Sequence, residues 1–112
     1  MDEPYTALRQ RLVDAVLNSP GASDPTVRRA VEARAAALGG RASTTTSPVP
    51  HALATYVDKV ATRAYTVTDE DIAALRQAGY SEDAIFEITI STALGAAMAR
   101  LECGLAALKG DD

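Results

Sequence analysis

One cysteine, one histidine and a short polar run hold most of the reactive chemistry in this chain of 112 residues. Cys103 is the only thiol. Peroxidatic chemistry there needs a thiolate favoured by a cation or a helix N-terminus, and access to solvent. Its resolving partner would come from another molecule. His51 is the only imidazole, so any general base of that type is His51. Glu87 and Arg100 bracket an apolar run, where a carboxylate either finds a partner or handles a proton. Tyr56, Lys59 and Arg63 recur at three and four residues and share a helical face. Two cations and a phenol in that arrangement suit a small organic acid. One histidine and one cysteine far apart offer no ligand spacing, so neither a metal nor a cofactor is expected.

Each of these residues also has a plainer reading, and the plainer reading is favoured. Cys103 continues a row of small residues, Ser91, Gly95, Ala99, Cys103 and Ala107, which predicts a buried, inert sulfur. It also lies near a helix C-terminus, where the dipole disfavours a thiolate. His51 follows Pro50 and reads as a solvated or capping residue. The stems of Tyr56, Lys59 and Arg63 can cover core edges while their heads stay wet. Glu87 can pair with Arg63, or with Arg100 of a second copy.

The elements that position these residues read as helices throughout. The chain is alanine-rich with five aromatic residues, which favours helix over sheet. Asp2 or Glu3 caps a first helix that stops at "NSPG", with Leu8, Leu12, Ala15 and Val16 as its apolar stripe. Asp24 caps a second, with Pro25 at its first position and Gly39–Gly40 at its end. Its inner face reads as Val27, Ala30, Val31, Ala35 and Leu38, and its outer face as Arg28, Arg29, Glu32 and Arg34. "RASTTTSPVP", residues 41–50, reads as a flexible linker. A third helix starts near Pro50, with Leu53, Val57, Val60, Ala61 and Ala64 inward.

Thr68 then caps a short helix closed by Gly79, and Ser81 caps a long one from about Glu82 to Leu108. Acids fill both first turns, as the helix dipole favours. Cap, helix, glycine and second cap predict an αα-hairpin. The long helix carries two apolar stripes. One is Ile85, Ile88, Thr92, Gly95, Ala99 and Ala106; the other is Phe86, Ile90, Ala93, Ala97, Leu101 and Leu108. Two stripes predict a central helix buried on most sides. The small-residue row Ser91, Gly95, Ala99, Cys103 lets another helix approach closely, from the same chain or from a second copy.

"VTDEDIAALRQAGYSEDAIFEITISTALGAAMARLE", Val67 to Glu102, resembles the carboxymuconolactone decarboxylase and alkylhydroperoxidase D-like superfamily. The likeness lies in an acid-capped short helix, a Leu-x-x-x-Gly turn, a second acidic cap and a long small-residue helix. It covers about half the chain. The resemblance implies an all-helical fold assembled as dimers, trimers or hexamers. Peroxidase members carry Cys-x-x-Cys with a histidine four residues beyond it, and this chain has no such pair. It resembles the family's cysteine-free repeat, so the resemblance carries no peroxidase residue here.

Taken together, the sequence predicts one all-α domain over residues 1–112, of about five helices. N-terminal helices fill 1–40, a linker 41–50 and an alkylhydroperoxidase D-like unit 51–110. The leading functional expectation is a non-catalytic, homo-oligomeric interaction or small-molecule-binding module. The alternative is an enzyme of the resembled superfamily: a thiol peroxidase through Cys103, or an acid–base decarboxylase or isomerase using His51, Tyr56, Lys59 and Glu87. Net charge is -4, with six arginines against five carboxylates in residues 1–41 and five cations against ten carboxylates after that. No basic face suits nucleic acid. The longest charge-free run near Glu87, residues 88–99, is too short for a bilayer, and no apolar leader opens the chain. A cytoplasmic protein is expected.

Overall fold

The computed structural model describes residues 3–42 and 48–110, with side chains from Thr6 onward. Among the described residues, five α-helices follow in order: α1 Glu3–Asn18, α2 Pro25–Leu38, α3 His51–Arg63, α4 Asp69–Gln77 and α5 Glu82–Lys109. A 3-10 turn, Ala64–Thr66, joins α3 to α4. No strand occurs among the described residues. The fold is all-α, as the sequence predicts.

Local chemistry sets the helix boundaries. The Asp24 carboxylate accepts from Thr26 N at 2.8 Å, and Pro25 begins α2 where a missing N–H costs nothing. Thr68 and Asp71 form a reciprocal capping box at the start of α4. Ser81 Oγ accepts from Ala84 N to open α5. Gly79 makes the turn between them with φ 104°, a left-handed conformation suited to glycine. Residues 43–47 of the expected linker lie outside the described residues.

α5, 28 residues long, is the axis on which the rest is arranged. α2 lies behind it and runs the same way: Glu32 backs onto Gly95, Gly39 onto Ala96 and Ala99, and Gly40 onto Cys103. α1 runs the opposite way along one flank, with Ala15 and Val16 beside Ile90 and with Arg9 and Gln10 beside Met98. α3 runs parallel along the other flank. Tyr56 meets Thr89 near its start, and Ala61 meets Arg100 near its end. α4 closes the end of the core. Val31, Leu53, Tyr56, Val57, Leu75, Ile85 and Ile88 pack into one apolar cluster, extended by Ala35, Ala61 and Ala96.

At 100° per residue, these neighbours occupy three sides of α5 and leave the fourth open. Phe86, Ile90, Ala93, Ala97, Leu101 and Leu108 are all exposed. The expectation of burial on most sides is therefore corrected. The stripe through Ile85, Ile88, Thr92, Gly95 and Ala99 is buried, and the second stripe is bare. The α1 stripe is corrected likewise: Leu8 and Leu12 are about half exposed, and Leu17 is the buried residue. On α2, Leu38 is exposed, whereas Arg28 and Glu32, assigned to the outer face, are buried. Arg28 is drawn in by the bare carbonyls at the end of α1. It donates to Val16 O at 2.7 Å and to Ser19 O. Tyr56 of α3 is buried, and Ala64, in the 3-10 turn beyond α3, is exposed, the reverse of their expected places.

The small-residue row packs within the chain. A Cβ placed on Gly95 would stand 3.0 Å from the Glu32 carbonyl carbon and 3.1 Å from its Cα, so backbone meets backbone there. Cys103 escapes burial because α2 ends at Leu38, short of covering the last turns of α5. Gly95→Leu should lower the unfolding free energy by at least about 1–3 kcal/mol through overpacking. The expected readout is a fall in urea midpoint with an unchanged slope. A midpoint equal to wild type would show that α2 and α5 do not meet at this residue.

Candidate functional site

The polar residues singled out by the sequence do not converge. His51 is exposed at the first position of α3, and its side chain makes no hydrogen bond or ion pair among the described residues. Because α3 runs parallel to α5 and Ala61 already meets Arg100, His51 sits at the far end of α5 from Cys103. Glu87 and Cys103 are sixteen residues apart on one helix, about 24 Å along its axis.

Tyr56, Lys59 and Arg63 point in three directions. The Tyr56 hydroxyl is 2.5 Å from Thr89 Oγ1, whose own proton goes to Ile85 O at 2.7 Å. Tyr56 therefore donates, and its phenol is consumed inside the core. Lys59 Nζ donates to both Asp71 oxygens, at 3.0 and 2.9 Å, and so ties α3 to the capping box of α4. That ammonium holds the Asp71 carboxyl below the usual range, helped by the Thr68 amide. Arg63 ends α3 in solvent.

Glu87 finds neither Arg63 nor Arg100. It accepts from Ser23 Oγ at 2.6 Å, Ser23 N at 2.7 Å and Ala22 N at 2.9 Å. The Ser23 hydroxyl and the Ala22 amide, then the nearby Arg28 cation, push its carboxyl below its ordinary range. Glu87 is thus a clip that fixes the α1–α2 connection onto α5. Arg100 instead donates to Ala61 O at 2.8 Å.

Cys103 is exposed, with its sulfur 3.8 Å from Gly40 O, which corrects the expected buried filler. The nearest built polar cluster belongs to Arg41. It forks onto both Glu102 oxygens at 3.0 and 2.8 Å and reaches Glu32 at 2.9 Å. Sequence reading missed this group because its three members are sixty-one and nine residues apart. The cluster borders a groove of about 310 Å³ that also holds Arg9 and Gln10. No group of three or more His, Cys, Asp or Glu able to hold a metal occurs among the described residues.

What stands out is apolar. Of the eight large hydrophobic side chains that are exposed among the described residues, six lie on α1 and α5: Leu8, Leu12, Phe86, Ile90, Leu101 and Leu108. Ala15 and Ile90 line one groove, together with Arg28 and Glu87, so the two stripes come close at that end. α5 is also long and apolar enough to cross a bilayer by length and composition, a test the count of charge-free residues had failed. Half of its most apolar window is buried inside the fold. No protein-family model matches this chain, and no curated protein and no solved structure matches it either.

The Glu87 clip predicts a pH signature. A carboxyl with its folded pKa depressed contributes stability above its unfolded pKa and loses it as pH falls through the folded value. Glu87→Gln should therefore lower the urea midpoint at pH 7, and the gap from wild type should close as pH drops below the ordinary glutamate range. A gap that stays constant down to the acid limit would show that charge is not what holds the connection.

Proposed function

We propose that this protein is a non-catalytic, self-associating helical module, whose working surface is the bare apolar face of α1 and α5. One observation carries the reading: a 28-residue apolar helix has three sides packed by its own chain and a fourth left uncovered. Monomeric soluble proteins rarely expose contiguous apolar patches beyond a few hundred Å². The non-catalytic part is supported by the use already made of the candidate polar groups. Tyr56, Lys59 and Glu87 are spent on core, cap and connection. Likeness to the alkylhydroperoxidase D-like cysteine-free repeat belongs to this proposal, with helical self-assembly as the shared property. An acidic chain with a single unpaired thiol fits a reducing compartment such as the cytoplasm.

Two measurements test it. Light scattering coupled to chromatography should give a mass that is a multiple of the 11.7 kDa chain. Phe86→Glu combined with Leu101→Glu should return the single-chain mass with helix content kept, because both side chains are solvent-facing in one copy. A wild type that runs as a single chain at tens of micromolar would overturn the reading. Separately, hydroperoxide consumption by wild type and by Cys103→Ser should be equal, and a cysteine-dependent turnover would restore the enzyme alternative.

A further inference from the structure

The bare face of α5 maps onto itself when reversed. Phe86, Ile90, Ala93, Ala97, Leu101, Gly104 and Leu108 are all exposed, with successive separations of 4, 3, 4, 4, 3 and 4 residues. Read from either end, the spacing is the same, with Ala97 at its centre. We infer that two copies of this chain pair through antiparallel α5 helices about a two-fold axis at Ala97. The inference rests on the self-association reading above and adds to it the copy number, direction and register.

Size complementarity favours this register. About the axis, Ile90 of one copy falls on Gly104 of the other, and Leu101 falls on Ala93. Phe86 meets Leu108 at each end, and Ala97 meets Ala97 in the middle. Each bulky interior side chain thus faces a small one, which lets the surfaces interdigitate at interior density. Among the described residues, nothing occupies the space a Gly104 Cβ would take. A parallel pair would instead stack Ile90 on Ile90 and Gly104 on Gly104, leaving alternate clashes and gaps.

The helix dipoles point the same way. Antiparallel pairing opposes the two α5 macrodipoles, whereas a parallel pair would align them and set Glu82 and Asp83 of one copy beside the same residues of the other.

The first helix obeys the same axis. α1 runs antiparallel along α5, sharing one groove with Ile90 through Ala15 and Val16 and another with Met98 through Arg9 and Gln10, so the middle of α1 lies near the level of Ala97. A two-fold axis there keeps both α1 helices on one side of the interface. It passes near the half-exposed Leu8 and Leu12, so these leucines of the two copies lie on the same side of the interface. The strip from Phe86 to Leu108 is about 33 Å long and two helices wide, roughly 600–700 Å² per copy. That approaches the ~800 Å² each partner gives to a standard interface. A lipid surface is the poorer occupant, because the face is rimmed by Glu82 and Asp83 and the chain carries a net charge of -4.

Disulfide trapping in a glutathione buffer reads the register, in a Cys103→Ser background so that no native thiol competes. Ala97→Cys should cross-link to a dimer. Ala93→Cys alone should not, because its two copies would stand about 12 Å apart along the axis, beyond disulfide reach. A mixture of Ala93→Cys and Leu101→Cys chains should yield the mixed dimer. All three positions are exposed in the single chain, and circular dichroism confirms that each variant folds. Cross-linking of Ala93→Cys with itself would overturn the antiparallel register while leaving self-association standing. A single-chain mass by light scattering would remove the self-association reading as well. Flotation of a single-chain species with phosphatidylcholine vesicles would assign the face to lipid instead, and no flotation is expected.

Discussion

Backbone-to-backbone contact between α2 and α5 is the constraint on which the rest of the structure depends. At Gly95 no side chain holds the two helices apart, and the Glu32 main chain fills the space a Cβ would need. Gly39 repeats the approach from the other helix, against the Ala96 carbonyl and Ala99 Cβ. Such contact fixes both separation and rotation, since sliding either helix by one residue would put a side chain into the gap. Polar groups then hold the two ends. Glu87 takes the amides that lead into α2, and Arg41, just beyond α2, forks onto Glu102. α2 is thus bound to α5 by small residues in its middle and by charge-assisted hydrogen bonds at both extremities.

That arrangement accounts for where the polar chemistry went. A chain this short buries only part of the surface it would expose unfolded, so its ionisable side chains tend to be recruited as fasteners. Lys59 fastens α3 to α4, Arg34 fastens α2 to Asp58 on α3, and Arg28 satisfies the carbonyls at the end of α1. A general acid or base needs an atom free to take or give a proton to a ligand. The Glu87 carboxylate already accepts three hydrogen bonds, and the Tyr56 hydroxyl is engaged in the core.

Features decided within a few residues were legible in the sequence. Asp24–Pro25, Thr68, Gly79 and Ser81 act through their own backbone neighbourhood, and each begins or ends a helix where its chemistry says it should. Features decided across the chain were not. Periodicity showed that α5 is apolar on several sides, but it carries no record of how many neighbours arrive to cover them. Arg28 and Glu32 looked like solvent residues because burial of a charge depends on partners from other elements, here the α1 carbonyls and Arg41. Cys103 shares its small-residue row with Gly95 and Ala99. Its exposure follows from the length of α2, which nothing local to residue 103 encodes.

The open face of α5 is also built to tolerate its own exposure. Three of its seven positions are Ala93, Ala97 and Gly104, which present little apolar area to water compared with the Ile, Leu and Phe beside them. A single copy can therefore fold around α2 with the cost of the bare face reduced by its three small positions. The mixture of sizes gives the face shape, because each small residue leaves a hollow beside the bulky side chains. Filling those hollows with leucines would enlarge the apolar patch and flatten it, trading a specific partner for indiscriminate adhesion. Small residues thus act twice on this helix: behind, they admit a backbone of the same chain, and in front, they limit the apolar area of the open face.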